Sequence, residues 1–121
     1  MRHRSKQNAK NERDAMPVRE HYRRLYPYCQ HGDCDRIATD VHEIASGPAR
    51  RNAIGERACL LHLCREHHDQ MDDYSIWPID RQLALKKWGD PEGFDRQLVN
   101  QIRGRDPEAI TAEEVDRWLT G

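Results

Sequence analysis

The four cysteines of this chain fall into two pairs of equal spacing, Cys29 and Cys34 in CQHGDC and Cys59 and Cys64 in CLLHLC. Of 121 residues, 36% are hydrophobic and 34% charged, which leaves little material for a core. A core that small usually needs a staple. No apolar run is long enough to span a membrane, and the charged N-terminus has no apolar stretch behind it. The expected setting is therefore cytoplasmic and reducing, where cysteines point to metal rather than to disulfides.

Two donor sets are compatible with the spacing. In CQHGDC, Gly32 and Asp33 suit the tight turn of a zinc knuckle. Cys64 and His67 have a two-residue gap at a strand-to-helix turn, a common zinc spacing. They give Cys29, Cys34, Cys64 and His67 around a structural Zn²⁺, with Cys59 a small core residue. The alternative is a four-cysteine site using Cys59. In an extended strand, however, residues five apart point to opposite faces, so Cys59 and Cys64 would need a bulge to share one ion. His31 is a substitute ligand placed inside the turn.

Around these pairs the chain reads as α+β. Residues 1–16 lack apolar periodicity and form a basic arm, disordered or weakly helical. VREHYRRLYPYC is a short helix or turn ending near Pro27. IATDVHEI and CLLHLC have strand character, and a loop punctuated by Gly47-Pro48 and Gly55 separates them. REHHDQMDDY then looks helical. Pro78 opens a helix that Gly89 ends. Asp90-Pro91 opens a second that stops at Gly104, and Thr111 with Glu114 makes a capping box for a third. The expected units are the arm (1–16), a zinc-knuckle domain (17–75) and a helical C-terminal extension (76–121). Trp77, Trp88 and Trp118 are expected in the core of that extension, or else on a contact surface.

Charge is local rather than global. Net charge is -1, yet residues 1–24 carry eight Arg or Lys against three acids. Arg50, Arg51 and Arg57 form a second basic cluster in the loop. Such segments suit a phosphate backbone, so DNA is the expected partner and these three arginines its expected contacts. A second donor cluster follows His67. His68 and Asp72, four apart, would share one helix face. With His42 from the neighbouring strand they would hold one divalent ion, Mg²⁺ or another, with open positions for phosphate and water.

CQHGDC, DVHEI and LCREHH in this order resemble the HNH (His-Me finger) endonucleases, and the long loop and helical tail more faintly resemble small members encoded by phages and prophages. The resemblance covers residues 27 to 73. It implies a zinc-stapled ββα-metal core with additional C-terminal helices, and hydrolysis of DNA phosphodiesters to 5′-phosphate and 3′-hydroxyl ends. Carried over, His42 and His68 are ligands of the catalytic ion and Asp72 stands where a third ligand often sits. Glu43 takes the position of the usual histidine base. Its reference pKa is about 4.3 against about 6.5 for histidine, so it is the weaker base. Cys59 stands where the family's middle Asn would be, and His67 replaces the last knuckle cysteine. A second register makes His42 the base and Asp40, on the same strand face, the ligand. The competing reading is an inactive zinc-stapled module that binds DNA or protein. The helical extension can dock on a larger phage or DNA-processing machine, although the sequence names no partner and no oligomeric state.

Overall fold

Two short strands carry the centre of the fold. β1, Asp40–Glu43, pairs antiparallel with β2, Leu60–Leu63, with Asp40 opposite Leu63 and Glu43 opposite Leu60. Alternation sends Asp40 and His42 to one face of β1 and Val41 and Glu43 to the other. Val41 packs with Tyr22 and Leu60. All four residues of β2 are buried, so LLHL shows no polar alternation. Both strands are shorter than IATDVHEI and CLLHLC imply. Upstream of β1 the chain makes only an isolated bridge, Tyr28 with Ile37, because residues 29–36 turn back on themselves to carry two cysteines.

The structure is a computed structural model and describes residues 6–45 and 47–120. Of the two alternatives for the arm over 1–16, residues 6–16 take the helical one and belong to α1, Lys6–Leu25; residues 1–5 lie outside the described residues. Packing anchors α1. Ala15 and Tyr22 lie two turns apart and both are buried. A Cβ added at Gly55 would stand 3.1 Å from Ala15 Cα, so glycine there permits the close approach of loop to helix. The helix runs through Pro17 and stops at Leu25, short of Pro27.

The loop between the strands holds one helical turn, α2, Arg50–Ala53. After β2 comes α3, Arg65–Gln70, shorter than REHHDQMDDY suggests. The Met71 N–H bonds back to the His68 carbonyl at 3.1 Å, tightening the last turn, and its side chain is buried in the core. Asp72 therefore lies past the helix end, and the expectation that it shares a helix face with His68 is corrected.

Three helices follow: α4, Ile79–Gly89; α5, Arg96–Ile102; and α6, Ala112–Thr120. Pro78 caps α4 and Thr111 and Glu114 form the expected box, with Glu114 N–H on Thr111 Oγ1 at 3.2 Å and Thr111 N–H on Glu114 Oε1 at 3.3 Å. α5 starts later than Asp90-Pro91 implies. Asp95 is its cap, accepting from Leu98 N–H at 3.1 Å, while Asp90 is drawn inward.

One apolar cluster runs from Cys29 and Ile44 through Leu61 to Leu83, Val99 and Val115, so the expected boundary at 75/76 does not separate two cores. Buried polar groups cross the same line. Lys86 Nζ donates to the Leu60 carbonyl (2.8 Å), to Tyr22 Oη (3.0 Å) and to Asp90 (2.7 Å). Of the three tryptophans only Trp77 is a core residue. Trp88 and Trp118 are 54% and 45% exposed and flank a groove of about 300 Å³ that His31 and Arg81 also line. Among the described residues, no helix is long and apolar enough to cross a membrane.

Candidate metal centre and histidine site

The cysteine cluster is built by a turn and a helix start. Cys29 N–H bonds the Arg36 carbonyl at 2.8 Å, closing a hairpin whose tip carries Gly32 at φ +50°. That left-handed backbone is the conformation glycine adopts without strain. The turn brings Cys34 back beside Cys29. Cys64 is the N-cap of α3, and His67 follows one turn later on the same side. The donor atoms of Cys29, Cys34, Cys64 and His67 all lie within 4.8 Å of one another. His67 Nδ1 stands 3.3 Å from Cys29 Sγ and 3.4 Å from Cys64 Sγ. A tetrahedron with ordinary Zn–S and Zn–N bonds has S···N edges of about 3.5 Å, so the group fits a metal such as zinc.

His31 is not in this group. It stacks on His67 with ring centroids 3.8 Å apart and buttresses the ligand. Cys59 is not in it either. It is fully buried in the 3-10 turn just before β2, and burial pushes its thiol up to about 12. A thiol held neutral that firmly behaves as a small apolar side chain.

The second site lies on the Asp40–His42 face of β1, against α3. His68 Nδ1 is 2.8 Å from Asp40 Oδ2, and the His42 and His68 rings meet edge to face at 5.4 Å. Burial opposes the Asp40 carboxylate, but bonds from His68 and Thr39 and the charge of Arg65 outweigh it and hold the pKa below the usual value. Ionised Asp40 can only accept, so His68 gives it the Nδ1 proton. His68 Nε2 is then the nitrogen left to bind, the arrangement by which a carboxylate orients a metal-ligating or phosphate-facing imidazole.

His42 is buried, and its pKa is lowered, chiefly by that burial, so the ring is neutral. Nε2 is bonded to Gln82 Oε1 at 2.7 Å. Nδ1 is the one buried side-chain nitrogen or oxygen without a partner among the described residues. Glu43 points the other way. Arg19 Nη1 from α1 holds it at 3.2 Å and also donates to the Ile54 carbonyl at 3.1 Å.

His42, His68 and Asp72 do not form a closed donor set. Asp72 is exposed and faces Arg50, whose Nη2 is 3.8 Å away. Among the described residues, the cysteine cluster is the one group of three or more donors within 4.8 Å of one another. The expected three-ligand site for a second ion is therefore not assembled.

The basic cluster divides as well. Arg50 and Arg51 are exposed on α2. Arg57 is corrected: its guanidinium forms a two-pronged pair with buried Asp90, at 3.1 and 2.8 Å, and is not free to face a phosphate. Sequence reasoning missed Gln82, and it missed Lys86 with Asp90 as a buried pair. The signal lies in RQLALKKW. Gln82 and Lys86, four apart, occupy buried-face positions of an otherwise apolar helix stripe, and buried polar groups imply partners.

The chain matches no protein-family model, no curated protein and no solved structure.

Proposed function

We propose that the chain is a zinc-stapled DNA endonuclease of the HNH type, hydrolysing phosphodiester bonds with His42 as the general base. One observation carries this reading. His42 Nδ1 is a buried nitrogen without a partner, in a neutral ring, on the strand face that meets His68. A neutral imidazole with one satisfied nitrogen and one free lone pair can take a proton from water. In the reaction, the water proton passes to that nitrogen and the water oxygen bonds to phosphorus. The P–O3′ bond breaks and the leaving O3′ takes a proton from solvent water, giving 5′-phosphate and 3′-hydroxyl ends. His68, oriented by Asp40, directs Nε2 at the substrate, and exposed Arg50, Arg51 and Arg65 supply positive charge for the DNA backbone. This register, rather than one using Glu43, is supported by the Arg19–Glu43 pair on the opposite face. The resembled family adds a divalent ion such as Mg²⁺ to stabilise charge on the phosphate.

A second reading, an inactive zinc-stapled module that binds DNA or protein, is favoured by a different observation. His42 is almost wholly enclosed, and Glu43, at the usual place of the base, is engaged by Arg19.

Nicking of supercoiled plasmid by the zinc-loaded chain, with and without Mg²⁺ or Mn²⁺, separates the two. Wild type and Glu43→Ala are expected to nick. His42→Ala and His68→Ala are expected to lose about 100-fold or more of the rate. A wild type that nicks nothing under any metal overturns the nuclease reading and leaves the binding module. Activity in His42→Ala with none in Glu43→Ala reverses the register.

A further inference from the structure

We propose that Gln82, from the helical segment after the zinc-knuckle region, is a positioning residue that fixes which nitrogen of His42 carries the proton. Its consequence for catalysis rests on the nuclease reading above; its structural content does not.

The hydrogen bonds leave one assignment. The Gln82 side chain is fully buried on α4. Its Nε2 lies 3.1 Å from the Met71 carbonyl oxygen and 2.9 Å from that of Trp77. Carbonyl oxygens only accept, so both hydrogens of the amide are committed and the amide cannot be flipped. A flip would set Oε1 against two acceptors in a place no water reaches. With Oε1 pinned as an acceptor, the partner 2.7 Å away, His42 Nε2, has to donate. Two lone pairs at that distance repel. His42 is thereby held with hydrogen on Nε2 and a lone pair on Nδ1.

The two carbonyls that orient Gln82 come from the turn just after α3 and from the residue before Pro78. Gln82 therefore joins β1, the end of α3 and α4 in one relay. Rotation of the His42 ring would break the bond to Gln82 and place a C–H against Oε1. The same contact fixes both rotamer and tautomer. A partner that accepts the second N–H of an imidazole also makes the other nitrogen more basic.

Nitrogen-15 NMR of the histidine rings in the full-length, zinc-loaded chain tests this directly. Expected for wild-type His42 is one slow-exchanging tautomer, pyrrole-type at Nε2 and pyridine-type at Nδ1. In Gln82→Leu, which keeps the volume and drops the polar atoms, the two signals should move toward averaged values. Gln82→Glu keeps an acceptor at the same reach and should hold the Nε2–H pattern, at a cost in stability because its second oxygen faces the Met71 and Trp77 carbonyls. If the chain cleaves DNA, Gln82→Leu should lower kcat about 10–100-fold with little change in KM, in line with other partners of functional histidines. Zinc content and thermal unfolding of each variant report whether it folds.

The wild-type spectrum needs no variant. A pyrrole-type Nδ1 in wild type overturns the proposal, whether or not DNA is cut. So does a Gln82→Leu protein that folds and keeps the wild-type tautomer. A wild type with the Nε2–H tautomer but no nicking under any metal leaves Gln82 as the tautomer lock and fails the nuclease reading alone.

Discussion

Asp90 has no route to water and takes its hydrogen bonds from four residues. Lys86 Nζ donates at 2.7 Å, Arg57 at 2.8 and 3.1 Å, Tyr26 Oη at 2.8 Å and Gly93 N–H at 3.1 Å. Burial pushes the carboxyl up, but bonds from Arg57, Lys86 and Tyr26 outweigh it and hold it well below the usual carboxylate range. Lys86 is pulled down to about 8 by burial, against the bond from Asp90, and is still protonated at neutral pH. The signs follow. Asp90 contributes stability above its unfolded value of about 4, and that contribution is lost as pH falls toward the folded value. For Lys86 the unfolded chain binds the proton more tightly, so this group favours folding more as pH rises from about 8 toward about 10.4. Asp90→Asn should cost about 3–5 kcal/mol at pH 7, because it leaves Lys86 buried without its counter-ion. Urea denaturation of both proteins checks this, and the gap between them should narrow below about pH 4. An equal gap at pH 7 and pH 3 would mean the charge is not the source. None of this is legible locally. DPEG reads as a helix start, and it is bonds from Tyr26, Arg57 and Lys86, distant or on the preceding turn, that hold Asp90 inward.

At the scale of elements, the cysteine turn and α3 make one device. Gly32 allows the reversal, Cys64 caps the helix, and His67 closes the donor set. Cys59→Ser should keep one zinc per chain, since that thiol lies outside the cluster. It should also lower stability by about 1–3 kcal/mol, because a hydroxyl is placed in an apolar site. Cys64→Ser should lose the metal. Zinc titration with a chromogenic chelator beside thermal unfolding reads both, and zinc loss in Cys59→Ser would return the four-cysteine arrangement. The set with His67 was legible from the two-residue gap between Cys64 and His67, which α3 places one turn apart; strand parity is not what excludes Cys59, because β2 spans only Leu60–Leu63 and Cys59 ends a 3-10 turn before it. The end of α3 was not legible. HHDQMD carries no Gly or Pro to stop a helix, and the stop comes from burial of Met71. Strand ends were overdrawn for a similar reason: β-branched residues mark extended backbone, but pairing needs a partner, and Ile37 finds only a bridge to Tyr28. The caps at Pro78 and Thr111 were legible because they are made of residues close in sequence.

For the whole molecule, the ββα unit and the helices behind it bury one another. Leu83, Val99 and Val115 sit in the same cluster as Leu61 and Met71. A chain cut after residue 75 would expose that face and strand three polar groups: His42 Nε2 and the Met71 and Leu60 carbonyls. Such a fragment is expected to show no cooperative thermal transition even with zinc present, whereas the full chain shows one. A sharp transition in the fragment would make the helical segment an independent appendage. The run of helices that Pro78 opens set the expected boundary at 75/76. Shared burial, which no single segment of sequence displays, erases it.

The amide on α4 that meets His42 also bears on how a chain like this can change. Coding segments are traded most freely where the two halves of a protein owe each other nothing but a peptide bond. Here a replacement for residues 76–121 would have to bring an amide that reaches His42 and an ammonium that reaches Tyr22. Descendants can vary the exposed side of these helices, the Trp88 and Trp118 groove included, while the inward positions on α4 must be inherited together with β1.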